Sequence, residues 1–294
     1  MEVVVDPVLI GEIAALGSAL TWGITSLLLR SETPRADAVT LNALRTLAAS
    51  AGLVVAAVAL GEAGALLEVP SWALALLLIS VVVGVGVGDT LYVEGLHLLG
   101  VARAMPISLS YPIFTTALAV LLLGEEITPA NALGIALVVA GVWLVAVPPG
   151  RPTEVPVGER RGLVVAVGSA LCWTISTLTL RPALEVVSPL AAGALRLPMA
   201  TAVLWFFVLN RPGPKGPIPR RTALVMGATG LITATSALLF LVALDLAGAA
   251  RAATLSSTSP LFAAPAAVVF LGERLTPRIV VGTVLAVVGI ALLA

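Results

Sequence analysis

Apolar residues run along this chain in long blocks. Broken at charges, Pro and Gly, the blocks fall at roughly 8–30, 37–60, 71–95, 102–123, 129–148, 161–181, 188–209, 221–245, 250–271 and 277–294. Each is near the length of about 20 residues that a helix needs to cross the ~30 Å hydrocarbon core of a bilayer. The pattern therefore predicts an all-α polytopic membrane protein with ten transmembrane helices. The longest polar stretches are PPGRPTEVPVGERR (Pro148 to Arg161) and NRPGPKGPIPRR (Asn210 to Arg221). Both are rich in Pro, Gly and Arg, which suits linkers. Ten spans use nearly the whole chain and leave no room for a soluble domain.

The blocks repeat. Gly17 to Arg30 reads GSALTWGITSLLLR and Gly168 to Arg181 reads GSALCWTISTLTLR, with nine of fourteen positions identical at an offset of 151. ALR at Ala43 to Arg45 matches ALR at Ala194 to Arg196 at the same offset. After the third span of each half begins, the offset is 148: LLGVARA at Leu98 to Ala104 matches LAGAARA at Leu246 to Ala252. Pro112 then matches Pro260, LLGEEITP (Leu122 to Pro129) matches FLGERLTP (Phe270 to Pro277), and Gly134 and Gly141 match Gly282 and Gly289. Residues 1–150 and 151–294 thus read as two copies of a five-helix unit. Five is odd, so the second copy enters the membrane from the opposite side. Inverted repeats of this kind underlie many secondary transporters, with a pseudo-two-fold axis in the membrane plane.

Composition agrees. Hydrophobic residues make up 59% of the chain and charged residues 11%, against about 25% charged in a soluble domain. Mean hydropathy is +1.11. The formal net charge of zero offers no basic surface for nucleic acid. One cysteine, Cys172, and one histidine, His97, give neither an internal disulfide nor a metal-type cluster, and no cofactor motif is present. MEVVVDPVLI at the N-terminus lacks a basic n-region, so the first block reads as a retained helix.

The charges are distributed unevenly. Of the sixteen Lys and Arg, Arg181 and Arg251 lie on one side, twelve lie on the other, and Arg45 and Arg196 fall within spans. The richer side is expected to be cytoplasmic, which puts both termini outside a plasma or inner membrane.

Taken together, these residues resemble the drug/metabolite transporter superfamily, EamA type. The marks are the small-residue-plus-Trp motif of spans one and six, the LR of spans two and seven, Pro-containing spans four and nine ending in LGE, and a TP-initiated, Gly-rich last helix. Each occurs twice and in order. The resemblance implies a ten-helix carrier of small metabolites, with a cavity formed by spans one, three, four, six, eight and nine. It also implies termini inside, against the charge count. It leaves the substrate open.

Features present in both copies point to scaffold. Thr128-Pro129 and Thr276-Pro277 match an N-cap followed by proline at the first helical position. Glu125 and Glu273 lie just before those helix starts, where anions are favoured. Arg103 and Arg251 are expected at the carbonyls ending the preceding helix. Arg45 and Arg196 are costly in a bilayer unless paired or at its edge, and their recurrence favours structure over binding an anionic substrate. Pro112 and Pro260 are expected to kink spans four and nine and to free the carbonyls of Ser108 and Ser256. Hydroxyl and aromatic groups near these kinks (Ser108, Tyr111, Ser256, Ser259), with Trp22, Tyr92 and Trp173, are cavity candidates, although such hydroxyls also serve as interhelical glue.

Features that break the repeat point to function. Span three carries Asp89, Tyr92, Glu94 and His97 where span eight has Ala237, Phe240, Val242 and Asp245. Intramembrane carboxylates are functional candidates by default. Asp89 and Glu94 are expected to couple transport to protons or to bind a substrate amine. Few charges within spans favour a neutral, zwitterionic or amphiphilic cargo such as an amino acid, with export preferred. A non-transporting receptor or scaffold and an uncoupled facilitator are the alternatives. GVGD at Gly86 to Asp89 and PAL at Pro182 to Leu184 resemble intramembrane aspartyl proteases. That chemistry needs a second membrane carboxylate, and the earlier aspartates, Asp6 and Asp37, lie near span ends. The GVGVG run is better explained by close helix packing.

Overall fold

The computed structural model describes residues 6–115, 118, 128–146, 157–210 and 217–292. The first half comprises α1 (Pro7–Glu32), α2 (Ala38–Ala59), α3 (Ser71–Val81), a π-helical segment (Val82–Gly88), α4 (Asp89–Leu99), α5 (Val101–Ser108) and α6 (Pro129–Ala146). The second comprises α7 (Val157–Leu184), α8 (Pro189–Asn210), α9 (Arg220–Ala247), α10 (Ala249–Ser256), α11 (Ser259–Leu271) and α12 (Pro277–Ala291). Among the described residues, six helices are long and apolar enough to cross a membrane, counting Ser71–Leu99 as one span. The third span runs four residues further than its apolar block predicts.

Local chemistry sets the helix starts. The Asp6 side chain accepts from the Val8 amide at 2.9 Å ahead of Pro7, and Asp37 accepts from Thr40 N at 3.1 Å. Thr276 Oγ1 accepts from Ile279 N at 3.3 Å, with Pro277 next in line. Thr128 likewise precedes a helix that opens on Pro129. Glu125 lies outside the described residues.

Spans four and nine are broken, not kinked. The turn at Leu109 and Ser110 ends α5, and helix resumes at residues 111–115. The turn at Ser257 and Thr258 separates α10 from α11 in the same register, 148 positions on. Pro112 and Pro260 therefore occupy the first turn of a new helix, where a missing N–H costs nothing, instead of sitting mid-helix as the sequence predicted. The carbonyl of Ser256 is satisfied by Ser259 Oγ at 2.7 Å. Gly100 and Gly248 precede the broken spans with φ of 78° and 81°, a left-handed turn that glycine adopts without a Cβ penalty.

The counterpart helices run in opposite directions. A Cβ on Gly289 of α12 would lie 2.6 Å from the Gly134 oxygen of α6, whereas one on Gly141 would strike the Gly282 carbonyl. High numbers on one helix thus meet low numbers on the other. α2 and α8 behave alike: Leu53 touches Gly193, and Ala43 packs with Leu204 and Val208. The remaining helices exchange partners between halves, α1 with α9 and α7 with α3 and α4. Hydroxyls join these pairs, Ser18 with Ser236 and Ser80 with Ser176 at 3.0 Å for the latter. Buried positions are rich in Ala, Gly, Ser and Thr, while Val269, Phe270, Phe206 and Phe207 face outward. Small residues inside and bulky apolar ones outside are the arrangement a bilayer favours.

Candidate functional site

Asp89 stands where the π-helical segment gives way to α4. Gly84 and Gly88 let this stretch lie against α7: a Cβ on Gly84 would strike Ser176, and one on Gly88 would lie 2.9 Å from Cys172 Cβ. The irregular backbone frees carbonyls that side chains then take up. Asn42 Nδ2 donates to Val85 O at 2.7 Å and to Thr90 Oγ1 at 2.9 Å, and Thr90 Oγ1 donates to Gly86 O at 2.6 Å. π segments inside α-helices frequently mark functional sites.

Arg45 projects from α2 into the same spot and has no exposed surface. Its Nη2 donates to Asp89 Oδ2 and to Asn42 Oδ1, both at 2.6 Å. Trp173 Nε1 donates to the other Asp89 oxygen at 2.8 Å. The guanidinium lies 5.6 Å from the Trp22 ring centroid, within cation–π range. Insertion scales put an isolated Arg or Asp at mid-bilayer at about 2.5–3.5 kcal/mol each. The pair offsets much of that, and each charge depends on the other being present.

An aromatic layer closes over this pair. Trp22 stacks on Tyr92 at 5.6 Å, Tyr92 meets Trp173 at 5.2 Å, and Tyr111 meets Trp173 edge-on at 6.4 Å. Tyr92 is fully buried and hydrogen-bonded to Ser26 at 2.8 Å. Beyond lies a cavity of about 170 Å³. It is lined from both halves, including Ser18, Trp22 and Arg45 from the first and Trp173, Arg196 and Ala237 from the second. Gly84 and Val85, which precede Asp89 along the third span, line it, whereas Tyr92 and Glu94, which follow, do not. The space thus extends from the Asp89 level toward the arginine-poor side. On the arginine-rich side the helix ends are tied together. Glu273 accepts from the amides of Val101 and Ala102 at 2.9 and 3.0 Å, and Arg30 lies 3.6 Å from it. Glu32 is bracketed by Arg35, Arg221 and Thr222, and Arg103 pairs with Glu159 at 2.6 Å.

The sequence matches the EamA-like transporter family twice, over residues 9–147 and 160–294. The chain belongs to that family. It is 25% identical over 280 residues to an uncharacterized transporter of Archaeoglobus fulgidus, spanning 95% of this chain and 96% of that one. A protein crystal structure 19% identical to it shares the fold with a TM-score of 0.68, over 97% of this chain and 94% of the other.

In this EamA-like transporter, Trp22, Asp89, Tyr111, Trp173 and Ser256 all line this same cavity. Tyr92 forms a second layer behind Trp22. Ser108 is held between helices, donating to Ala166 O at 3.1 Å and accepting from Ser169 at 2.8 Å. Ser259 is committed to its own helix break. Glu94 pairs with Arg161 at 3.0 Å near the arginine-rich end, away from the cavity. Glu273 caps α5, not the helix that follows it, because α11 of the second half ends beside α5 of the first. Arg103 reaches the Val145 carbonyl of α6 at 3.2 Å. The side chain of Arg251 lies outside the described residues.

Three participants, Asn42, Arg45 and Arg196, are not among the residues the sequence singles out for the site. Asn42 reads as an ordinary polar residue, and only its contact with the π segment reveals its role. Arg196 looked like the scaffold twin of Arg45. The signal for it was the Asp89-to-Ala237 difference, read across the repeat and not along span three.

Proposed function

We propose that this chain is a secondary transporter that moves a small metabolite across a plasma or inner membrane by alternating access. The observation that carries this reading is a cavity lined from both repeats and sealed on one side by an aromatic layer and ion pairs. In the proposed cycle the repeats 1–150 and 151–294 exchange conformations, and the cavity opens to the other side. A volume of about 170 Å³ falls below the roughly 300–1,000 Å³ of drug-sized sites and favours an amino-acid-sized or amphiphilic cargo.

The arginine-rich face is the cytoplasmic one in this reading, with both termini outside and the cavity facing outward. Export is the favoured direction. Proton coupling would act at Asp89: protonation there weakens its hold on Arg45 and Trp173 and loosens the layer between cavity and cytoplasm. An uncoupled facilitator is the second reading, favoured by the two donors, Arg45 and Trp173, that hold Asp89.

Flux into liposomes containing the purified protein tests this. A pool of amino acids and small metabolites would be offered with and without an imposed pH gradient, and the contents read by mass spectrometry. Accumulation only with the gradient is the expected result. Equilibration regardless of the gradient would make the protein a facilitator. No protein-dependent flux of any compound would contradict the transporter reading.

A further inference from the structure

The two halves treat their shared arginine differently. In the first, Arg45 meets a carboxylate, and an indole N–H from the opposite half, Trp173 Nε1, meets the same carboxylate. Across the repeat, Arg45 corresponds to Arg196, Trp173 to Trp22, Asp89 to Ala237 and Asn42 to Gly193. The second half has kept the cation and the indole and lost the anion.

The donors left behind have no anion to meet. Arg196 is 8% exposed and lines the cavity. Its Nη2 has only hydroxyl partners, Ser80 Oγ at 2.9 Å and Ser176 Oγ at 3.4 Å. Its Nε has no hydrogen-bond partner among the described residues, and neither have Arg45 Nε and Nη1 or the buried Trp22 Nε1; what separates the two arginines is the carboxylate that Arg45 meets. No carboxylate pairs with Arg196 among the described residues. A buried cation without an anion is costly, and so is a buried N–H without an acceptor. Ala237, where the missing carboxylate would be rooted, lines the same cavity and carries only a methyl group.

We infer that the cargo supplies this carboxylate. A small monocarboxylate with an apolar body places its anionic group beside Ala237, accepting from Arg196 and Trp22 as Asp89 accepts from Arg45 and Trp173. Its body lies among Phe240, Leu241 and the aromatic layer. The only carboxylate lining the cavity among the described residues, Asp89, is already engaged, so an ammonium group on the cargo gains no free partner. The inference rests on the transporter reading and narrows its cargo to organic monoanions.

Binding, measured apart from transport, provides the test. Purified protein in detergent would be titrated with 3-phenylpropionate, and with 3-phenylpropanol as the neutral isostere, following tryptophan fluorescence and calorimetric heat. The acid should bind at least tenfold more tightly than the alcohol. Arg196→Gln should abolish that preference, and Arg196→Lys should retain part of it. Ala237→Asp builds the missing carboxylate into the chain. It should occupy Arg196, remove acid binding by at least tenfold and raise the melting temperature, so its loss of binding is not a loss of fold. Equal binding of acid and alcohol, no binding of either, or acid binding unchanged in Ala237→Asp would overturn the inference. Flux of an uncharged compound alongside such a result would leave the transporter reading standing.

Discussion

Arg45 and Arg196 occupy equivalent places in two copies of one unit, and among the described residues only Arg45 pairs with a carboxylate. Arg45 sits beneath the aromatic layer, tied to Asp89 and braced by Asn42. Arg196 faces the open cavity with serine hydroxyls as its partners. What the copies share is architecture: broken spans, capping prolines, crossing glycines. What they do not share is charge balance. In an inverted repeat, the scaffold can be symmetric while the chemistry of binding is concentrated at the few positions where the copies diverge.

The largest expected effect breaks the ion-paired side. Asp89→Ala strands Arg45 as a buried, unpaired cation, and removing one partner of such a pair costs about 3–5 kcal/mol. Thermal unfolding in detergent should show a large drop. Arg196→Gln should instead leave stability unchanged or higher, because it removes a charge with no ion-pair partner among the described residues and a glutamine can still reach the serine hydroxyls. Equal losses from the two substitutions would erase the distinction between the halves.

Trp173→Phe comes next. It deletes one charge-assisted hydrogen bond to Asp89 while keeping the aromatic packing, at a cost of about 1.5–3 kcal/mol. Trp22→Phe removes an N–H that has no partner among the described residues and should cost less in the same melting experiment.

Much of this was legible in sequence, because it is written locally. Apolar blocks set the spans, Thr-Pro pairs set helix starts, and a constant offset revealed the repeat. Pro112 and Pro260 were read as kinks, and their breaks differ only by a two-residue turn. The Arg45–Asp89 pair was harder, since its members lie 44 positions apart on spans two and three and nothing local in the sequence marks them as partners. The π segment was read only as close packing, because nothing in GVGVG states how its hydrogen bonds are arranged. The sequence predicts a site role for Glu94 because it shares a helix with Asp89. Five residues of helix carry it toward the arginine-rich end, where Arg161 meets it.

The scaffold that both halves share should respond symmetrically. Gly141→Ala and Gly282→Ala each push a methyl into the backbone of the opposing helix, at about 1–3 kcal/mol for overpacking. Both should lower the melting temperature to similar degrees. Gly227→Ala, which meets nothing within 4 Å, is the control and should not. The smallest effect belongs to Glu273→Gln. It removes the negative charge at the N-terminus of α5, about 0.3–1 kcal/mol by helix-dipole magnitudes, and should loosen the arginine-rich side more than it changes overall stability.

Sided accessibility of the cavity is the most direct test of the central claim that the two halves exchange roles during transport. Ser18→Cys and Ser256→Cys, each in a Cys172→Ala background, place a single thiol in the cavity lining. A membrane-impermeant thiol reagent would be applied to either face of sealed vesicles of known orientation. The account expects labelling from both faces, with the balance shifting when a transported compound is added. Labelling from one face alone, whatever is added, would contradict alternating access and leave the cavity a one-sided binding site.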